Sequence, residues 1–226
     1  MNNYQRENNK TYQTLKDAEN GGYGVLAAIA YNIEHVLGFI RAAEYKCSPL
    51  IIQLFPWAVI FTNGRLVHFA AALAQEASVP IAIHLDHCQD ESLIRYAATN
   101  LPFDNIMVDM SHCSKEENLR KTAELVQFCH AHHKSTETEP GRIEGGEDGI
   151  SDTADLGPLM TTSEEMKAFV ETGVDFVAPS FGNVHGELER EAFSLIGNGW
   201  TMLEVLRREM MSELFRMVSM ILILIS

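Results

Sequence analysis

The sequence predicts an α/β protein of the (β/α)8 barrel type, with about six strand–helix units recognisable, on three observations. Apolar runs of strand length alternate with amphipathic helical segments, a repeat of roughly 30 residues that implies a parallel sheet covered by helices. No GxGxxG follows the first apolar run, so an open dinucleotide-binding sheet lacks its usual signature. Asp86, His87, Asp109, Glu139 and His185 fall at or just past the C-terminal ends of successive runs. A barrel gathers those ends on one face, whereas an open sheet spreads them along an edge.

Taken in order, residues 1–20 are a polar N-terminal segment with no apolar core of a secretory leader. GVLAAIAY (24–31) is the first strand. The helix after it, NIEHVLGFIRAAEYK (32–46), carries Ile33, Val36, Leu37, Ile40 and Ala43 at helical spacing. LIIQLF (50–55) and VPIAIHLD (79–86) are the next strands, with a helix over 62–77 between them. FDNIMVDM (103–110) follows a helix over 89–99, and KSTETE (134–139) follows one over 114–133. A helix over 162–172 leads into DFVAPS (175–180), the sixth strand. Three helix starts carry capping residues: Asp90, Ser114 with Glu117, and Thr162 with Glu165.

The formal net charge of −14 argues against a nucleic-acid or anionic-membrane partner, which an acidic surface would repel. An anionic small substrate stays open, because a metal or a few donors reverse the field inside a pocket. The four cysteines (Cys47, Cys88, Cys113, Cys129) show no CxxC pairing, which predicts reduced thiols in a cytoplasmic protein. The apolar stretch VSMILILI (218–225) is too short for a bilayer core, which needs about 20 helical residues.

Each polar residue at a strand end has a bland explanation taken singly. His87 could be a solvated loop histidine, Asp109 a helix cap, and Glu139 a water-facing strand glutamate. His185, in a glycine-flanked loop, would be unremarkable alone. Their recurrence at equivalent strand ends is harder to attribute to accident, and carboxylate with imidazole is a donor set that suits a zinc-like ion. Cys88 points away from His87 by alternation and is expected to pack in the core. His84 shares a face with Asp86 and is expected to line the interior and hydrogen-bond a neighbour. His112, His130, His132 and His133 are expected at a loop and a helix end.

HLDHCQD, MVDMSH, TETEPGRIEGGEDG and APSFGNVHGE occur in that order and resemble the successive motifs of the class II, metal-dependent fructose-bisphosphate (ketose-bisphosphate) aldolases. The likeness spans roughly residues 20 to 187 and implies the same barrel, a Zn2+ cofactor and a place in carbohydrate metabolism. It implies that Asp86 handles the proton of the substrate's C4 hydroxyl, and that Glu147 moves a proton at the carbon beside the carbonyl. His87 and His185 match zinc ligands, Asp109 and Glu139 match carboxylates that hold a metal in a neighbouring position, and Gly186 matches a backbone contact to substrate. The implied reaction is retro-aldol cleavage of a phosphorylated ketose such as fructose 1,6-bisphosphate through a metal-stabilised enediolate, without a lysine Schiff base. GRIEGGEDG carries glycines at 141, 145, 146 and 149, so Glu147 is expected on a loop that closes over substrate.

The likeness lapses after Gly186. No histidine occurs after 185, and a third zinc histidine and a phosphate loop are not recognisable. Strands seven and eight are accordingly expected to be missing. The barrel is assigned to 21–187, and 188–226 to a divergent apolar tail, with a helix over 200–225. Phe55 and Pro56 stand near the position where a phosphate-binding hydroxyl is expected after the second strand. The apolar tail, or a second copy of the chain in a homodimer, could cover the open sheet edges. The alternative to an active aldolase is a catalytically inactive barrel that binds metal or a partner.

Overall fold

The computed structural model of the chain describes residues 4–145, 152, 157–181 and 185. Six strands form one parallel sheet: β1 (Leu26–Ile29), β2 (Leu50–Leu54), β3 (Ile81–Cys88), β4 (Asn105–Val108), β5 (Ser135–Thr138) and β6 (Phe176–Val177). Their order across the sheet is their order in sequence. That order decides between the two α/β architectures. A doubly wound sheet reverses direction at a switch point, whereas strands added always on the same side curl toward a barrel. Among the described residues this is six units of such a barrel.

The helices are α1 (Lys10–Gly21), α2 (Ile33–Lys46), α3 (Pro56–Thr62), α4 (Arg65–Glu76), α5 (Glu91–Asn100), α6 (Lys115–Ala131) and α7 (Ser163–Glu171). The capping residues act as their chemistry predicts. Asp90 accepts from the amides of Ser92 and Leu93, and Ser114 accepts from that of Glu117. Thr162 and Glu165 form a reciprocal capping box. The helix expected over 62–77 is α4, and a short helix not expected from the sequence, α3, precedes it, the two bent by 104°. Asn63 and Gly64 both adopt left-handed backbone, which terminates α3. No single helix among the described residues is long and apolar enough to cross a membrane.

Strand alternation sorts the core into two parts. Leu50, Ile52, Leu54, Ile81, Ile83, Leu85, Ile106 and Val108 face the helices in one large apolar cluster. Ile51, Ala82 and Phe176 face inward, where Leu15 and Ala18 of α1 pack on them. The polar N-terminal segment thus includes a helix that closes the N-terminal end of the barrel, capped by Asn9 and tied down where Asn9 Nδ2 donates to the Asp104 carbonyl at 2.7 Å. Its mean hydropathy is low because only one face is buried, with Thr11, Thr14, Leu15 and Ala18 as its buried residues.

Candidate metal centre and acid–base site

Above the apolar floor the barrel interior turns polar. Gln53, His84, Asp86, Asn105, Ser135 and Glu137 are all 5% exposed or less, on four adjacent strands. Period-two alternation places Glu137 and Glu139 on the same inward face as Ser135, so these glutamates are buried and do not face water.

His87 reaches the site through a local irregularity. Leu85 pairs with Ile106 and Cys88 with Val108, so β3 carries one residue more than β4 across this interval. That is a β-bulge, and His87 sits in it with φ +43. Regular alternation would send Asp86 inward and His87 outward. The extra residue lets both stay with the interior, while Cys88 returns to the apolar cluster outside. Burial pushes the Cys88 thiol up to about 12, as suits packing and not ligation.

The His87 ring is held on two sides. Its Nδ1 lies 2.9 Å from Asp109 Oδ2, and the Phe55 ring stacks against it with centroids 6.0 Å apart. Asp109 Oδ1 accepts from the Ser111 amide at 3.1 Å and from its hydroxyl at 2.6 Å. Both Asp109 oxygens are therefore engaged, which leaves His87 Nε2 directed elsewhere. Burial opposes a charge on His87, but the Asp109 hydrogen bond and the negative charges of Asp86, Asp109 and Glu139 outweigh it and raise its pKa to about 10. Burial likewise pushes the Asp109 carboxyl up, and the His87 contact overrides it, so Asp109 is held below the usual carboxylate range.

His87, Glu139 and His185 offer ligand atoms that all lie within 4.8 Å of one another. The His87 and His185 rings meet edge to face at 5.2 Å. Glu139 Oε1 accepts from the Ile143 amide at 2.5 Å, and the carbonyl of Glu139 accepts from Asn118 Nδ2 at 2.9 Å. Both fix the carboxylate at the end of β5. The chain after it is packed too closely for side chains. A Cβ at Gly141 would stand 2.3 Å from the Leu159 carbonyl oxygen, and one at Gly145, where φ is +123, would stand 2.2 Å from that of His185. Gly145 thus lets the segment carrying His185 approach, and the His185 amide donates to the Glu144 carbonyl at 2.6 Å. Two imidazoles and a carboxylate with buried Glu139 Oε2 and His185 Nε2 fit a zinc ion with an open position, since three protein ligands are the catalytic pattern. The carboxylates around His87 also favour a cation at this spot.

Asp86 stands beside this group and is 3% exposed. Gln53 Nε2 donates to its Oδ2 at 2.8 Å, and His84 Nε2 lies 3.3 Å from its Oδ1. Burial pushes its carboxyl up. The His84 contact and the nearby His87, His84 and His185 rings prevail, and it is held low. His84 lines the interior and hydrogen-bonds its neighbours, as alternation predicts.

The geometry brings together His87, Glu139, His185 and Asp86. Asp109, expected at a neighbouring metal position, lies outside the three-residue group and is placed to orient His87. Glu147, Gly186 and the segment 200–225 lie outside the described residues. His112 is in a turn, and His130, His132 and His133 are at the end of α6, with His130 bound to Asp175 at 2.8 Å. Gln53, Phe55, Asn105 and Glu137 were not singled out as site residues from the sequence. A lone amide in the apolar run LIIQLF and a second glutamate two positions before Glu139 were the available signals.

Comparison with known proteins agrees with this geometry. Residues 9–216 match the family described as Fructose-bisphosphate aldolase class-II, a match that runs past the point where the motif likeness lapses. A Coccidioides immitis protein named among the fructose-bisphosphate aldolases is 52% identical over 187 residues, 80% of this chain and 62% of that one. A crystal structure of a fructose-1,6-bisphosphate aldolase homologue from Coccidioides immitis superposes with a TM-score of 0.75 at 48% identity, covering 85% of this chain and 70% of that one. A Streptococcus pyogenes fructose-bisphosphate aldolase is 40% identical over 176 residues, 76% of this chain and 58% of its own. The chain spans about three fifths of the length of these two sequence relatives. With its parallel barrel strands and its site at their C-terminal ends, this chain belongs to the class II fructose-bisphosphate aldolase family.

Proposed function

We propose that this protein is a zinc-dependent aldolase that cleaves a phosphorylated ketose, such as fructose 1,6-bisphosphate, by a retro-aldol reaction. The observation that carries the proposal is the meeting of His87, Glu139 and His185 within 4.8 Å beside the buried Asp86 carboxylate. Those three residues would hold zinc. When bound there, zinc supplies Lewis-acid polarisation of the substrate's ketone oxygen.

Cleavage breaks the C3–C4 bond. The C4 hydroxyl must lose its proton as C4 becomes an aldehyde, and the bonding pair stays with C3. Asp86 is the base for that proton, because its carboxyl is held low and it adjoins a ligand histidine. Two donors, Gln53 and His84, hold its two oxygens in place. Asp109 orients His87 as a carboxylate beyond the metal commonly does. Glu147 would return a proton to C3. The described cysteines are free, which suits a reducing cytoplasmic setting.

Metal analysis of the purified protein, paired with a cleavage assay with and without chelator, tests the proposal. Zinc near one per chain is expected, with cleavage lost on chelation and restored by zinc. Cleavage indifferent to chelator would overturn it. Zinc bound without any cleavage would favour the inactive metal-binding barrel instead.

A further inference from the structure

One register row crosses the barrel just below the Asp86 carboxylate. Gln53 pairs with His84, His84 with Asn105, and Asn105 with Ser135, on β2 to β5. All four are 1% exposed or less. A buried polar row is costly unless its donors and acceptors match. Here Ser135 Oγ donates to Asn105 Oδ1 at 3.1 Å, and Asn105 Nδ2 lies 2.9 Å from His84 Nδ1. On the other side of the ring, His84 Nε2 is 3.3 Å from Asp86 Oδ1 and 3.6 Å from Glu137 Oε2.

The neighbours of the ring assign its protons. Nε2 faces two carboxylate oxygens and must carry a hydrogen, since a bare nitrogen there would set lone pair against lone pair. Nδ1 faces an amide group. If the amide presents its NH2, Nδ1 is bare and the ring is neutral. If the amide were turned over, Nδ1 would also need a hydrogen and His84 would be an imidazolium. The Ser135 hydroxyl lies 3.1 Å from both the Asp104 carbonyl oxygen and the amide oxygen. That carbonyl already accepts from Asn9 Nδ2 and the Ser135 amide, so the one hydroxyl hydrogen is directed to the amide oxygen and favours the first arrangement.

We propose that Asn105 is a positioning residue that holds His84 as the neutral Nε2–H tautomer, so that one N–H from His84 and one from Gln53 lock the plane of the Asp86 carboxylate. The functional half of this inference rests on Asp86 being the base of the proposed cleavage. A carboxylate gripped through both oxygens keeps one lone-pair direction toward the substrate hydroxyl and does not sample several.

Long-range 1H–15N correlation spectra of the full chain, labelled at histidine, read the two ring nitrogens separately. Loss of one signal set in His84→Gln identifies His84. In the wild type the expected pattern is a bare Nδ1 and a protonated Nε2. In Asn105→Asp, of equal shape but without the donor, a proton should appear on Nδ1. In the zinc-loaded enzyme the same change should lower kcat for fructose 1,6-bisphosphate about 10- to 100-fold with KM moved less than about twofold. Asn105→Leu removes both amide functions at similar volume and should lower kcat likewise, which keeps the test available if the aspartate variant fails to fold. A wild-type His84 protonated at Nδ1, or variants with unchanged spectrum and kcat, would overturn the proposal. If the wild type itself cleaves nothing, the aldolase reading falls, while the nitrogen spectra still decide the tautomer.

Discussion

Two buried histidine–aspartate pairs sit at opposite ends of this barrel. At the C-terminal end, His87 Nδ1 meets Asp109 Oδ2 at 2.9 Å; at the N-terminal end, His130 Nε2 meets Asp175 Oδ2 at 2.8 Å. Both aspartates are fully buried. By distance and burial the pairs are near duplicates, and only their surroundings separate them. Asp175 is also bound by the Tyr4 hydroxyl at 3.0 Å and by the amide and hydroxyl of Thr136 at 2.8 and 3.2 Å. The Tyr4 ring lies flat on His130, 4.0 Å between centroids. That pair is a clamp joining the N-terminal strap to α6 and the start of β6. His87 instead turns its remaining edge toward Glu139 and His185. A histidine–carboxylate pair alone is therefore no mark of a site. Convergence of further ligand types on the histidine's second nitrogen is the mark.

The sharpest way to break this contrast is to remove each histidine in turn. His87→Ala should abolish zinc retention and cleavage. His130→Ala should leave both intact and lower stability by about 3 kcal/mol, the low end for breaking a buried pair, because Asp175 keeps other donors. Metal analysis and urea denaturation of both variants check this, and loss of zinc in His130→Ala would collapse the distinction. Asp109→Asn keeps the shape of the upper pair and loses its charge. It should weaken zinc about 10- to 100-fold, measured by competition with a chelator of known affinity.

The pH dependence of the metal-free protein sharpens the comparison further. The pKa of His87 stands at about 10 in the fold against 6.5 for the free side chain. A raised pKa contributes stability that is complete below about 6.5 and fades as pH climbs toward 10. Metal-free wild type should therefore lose more Tm between neutral pH and pH 10 than metal-free Asp109→Asn. Added zinc should reverse the trend over the lower part of that range, since it requires the neutral ring. An identical pH slope in the two metal-free proteins would show that the upper pair carries no such charge. The smallest expected effect is at the lower pair. Tyr4→Phe removes one donor to Asp175 and should cost about 1 kcal/mol in urea denaturation, with zinc content unchanged.

Much of the frame was legible in the sequence because it rests on local physics. Each of the six predicted strands overlaps an observed one, with β3 running two residues past its expected end at 86, and the caps at Asp90, Ser114 and Thr162 accept hydrogen bonds as their side chains predict. The ordered motifs around His87, Glu139 and His185 pointed to residues that the fold does bring together. Where the reading fell short, a non-local contact was decisive. Residues 10–21 look polar throughout, and only the presence of Ile51, Ala82 and Phe176 above them makes Leu15 and Ala18 a sealing face.

The sequence by itself determined the period of each strand, the three capped helix starts, the order of the motifs and the family they resemble, because these depend on neighbours within a turn or a strand. Only the tertiary structure decided that β3 bulges at His87, so that Asp86 and His87 face one interior. It alone decided that Glu137 and Glu139 turn inward, that Asp109 is occupied in orienting His87, and that Asn105 stands against His84. Period-two alternation says which residues share a face but not which face is the inside. That choice is made by pairing between strands tens of residues apart, where burial of the apolar face against the helices outweighs the local preference of a glutamate for water.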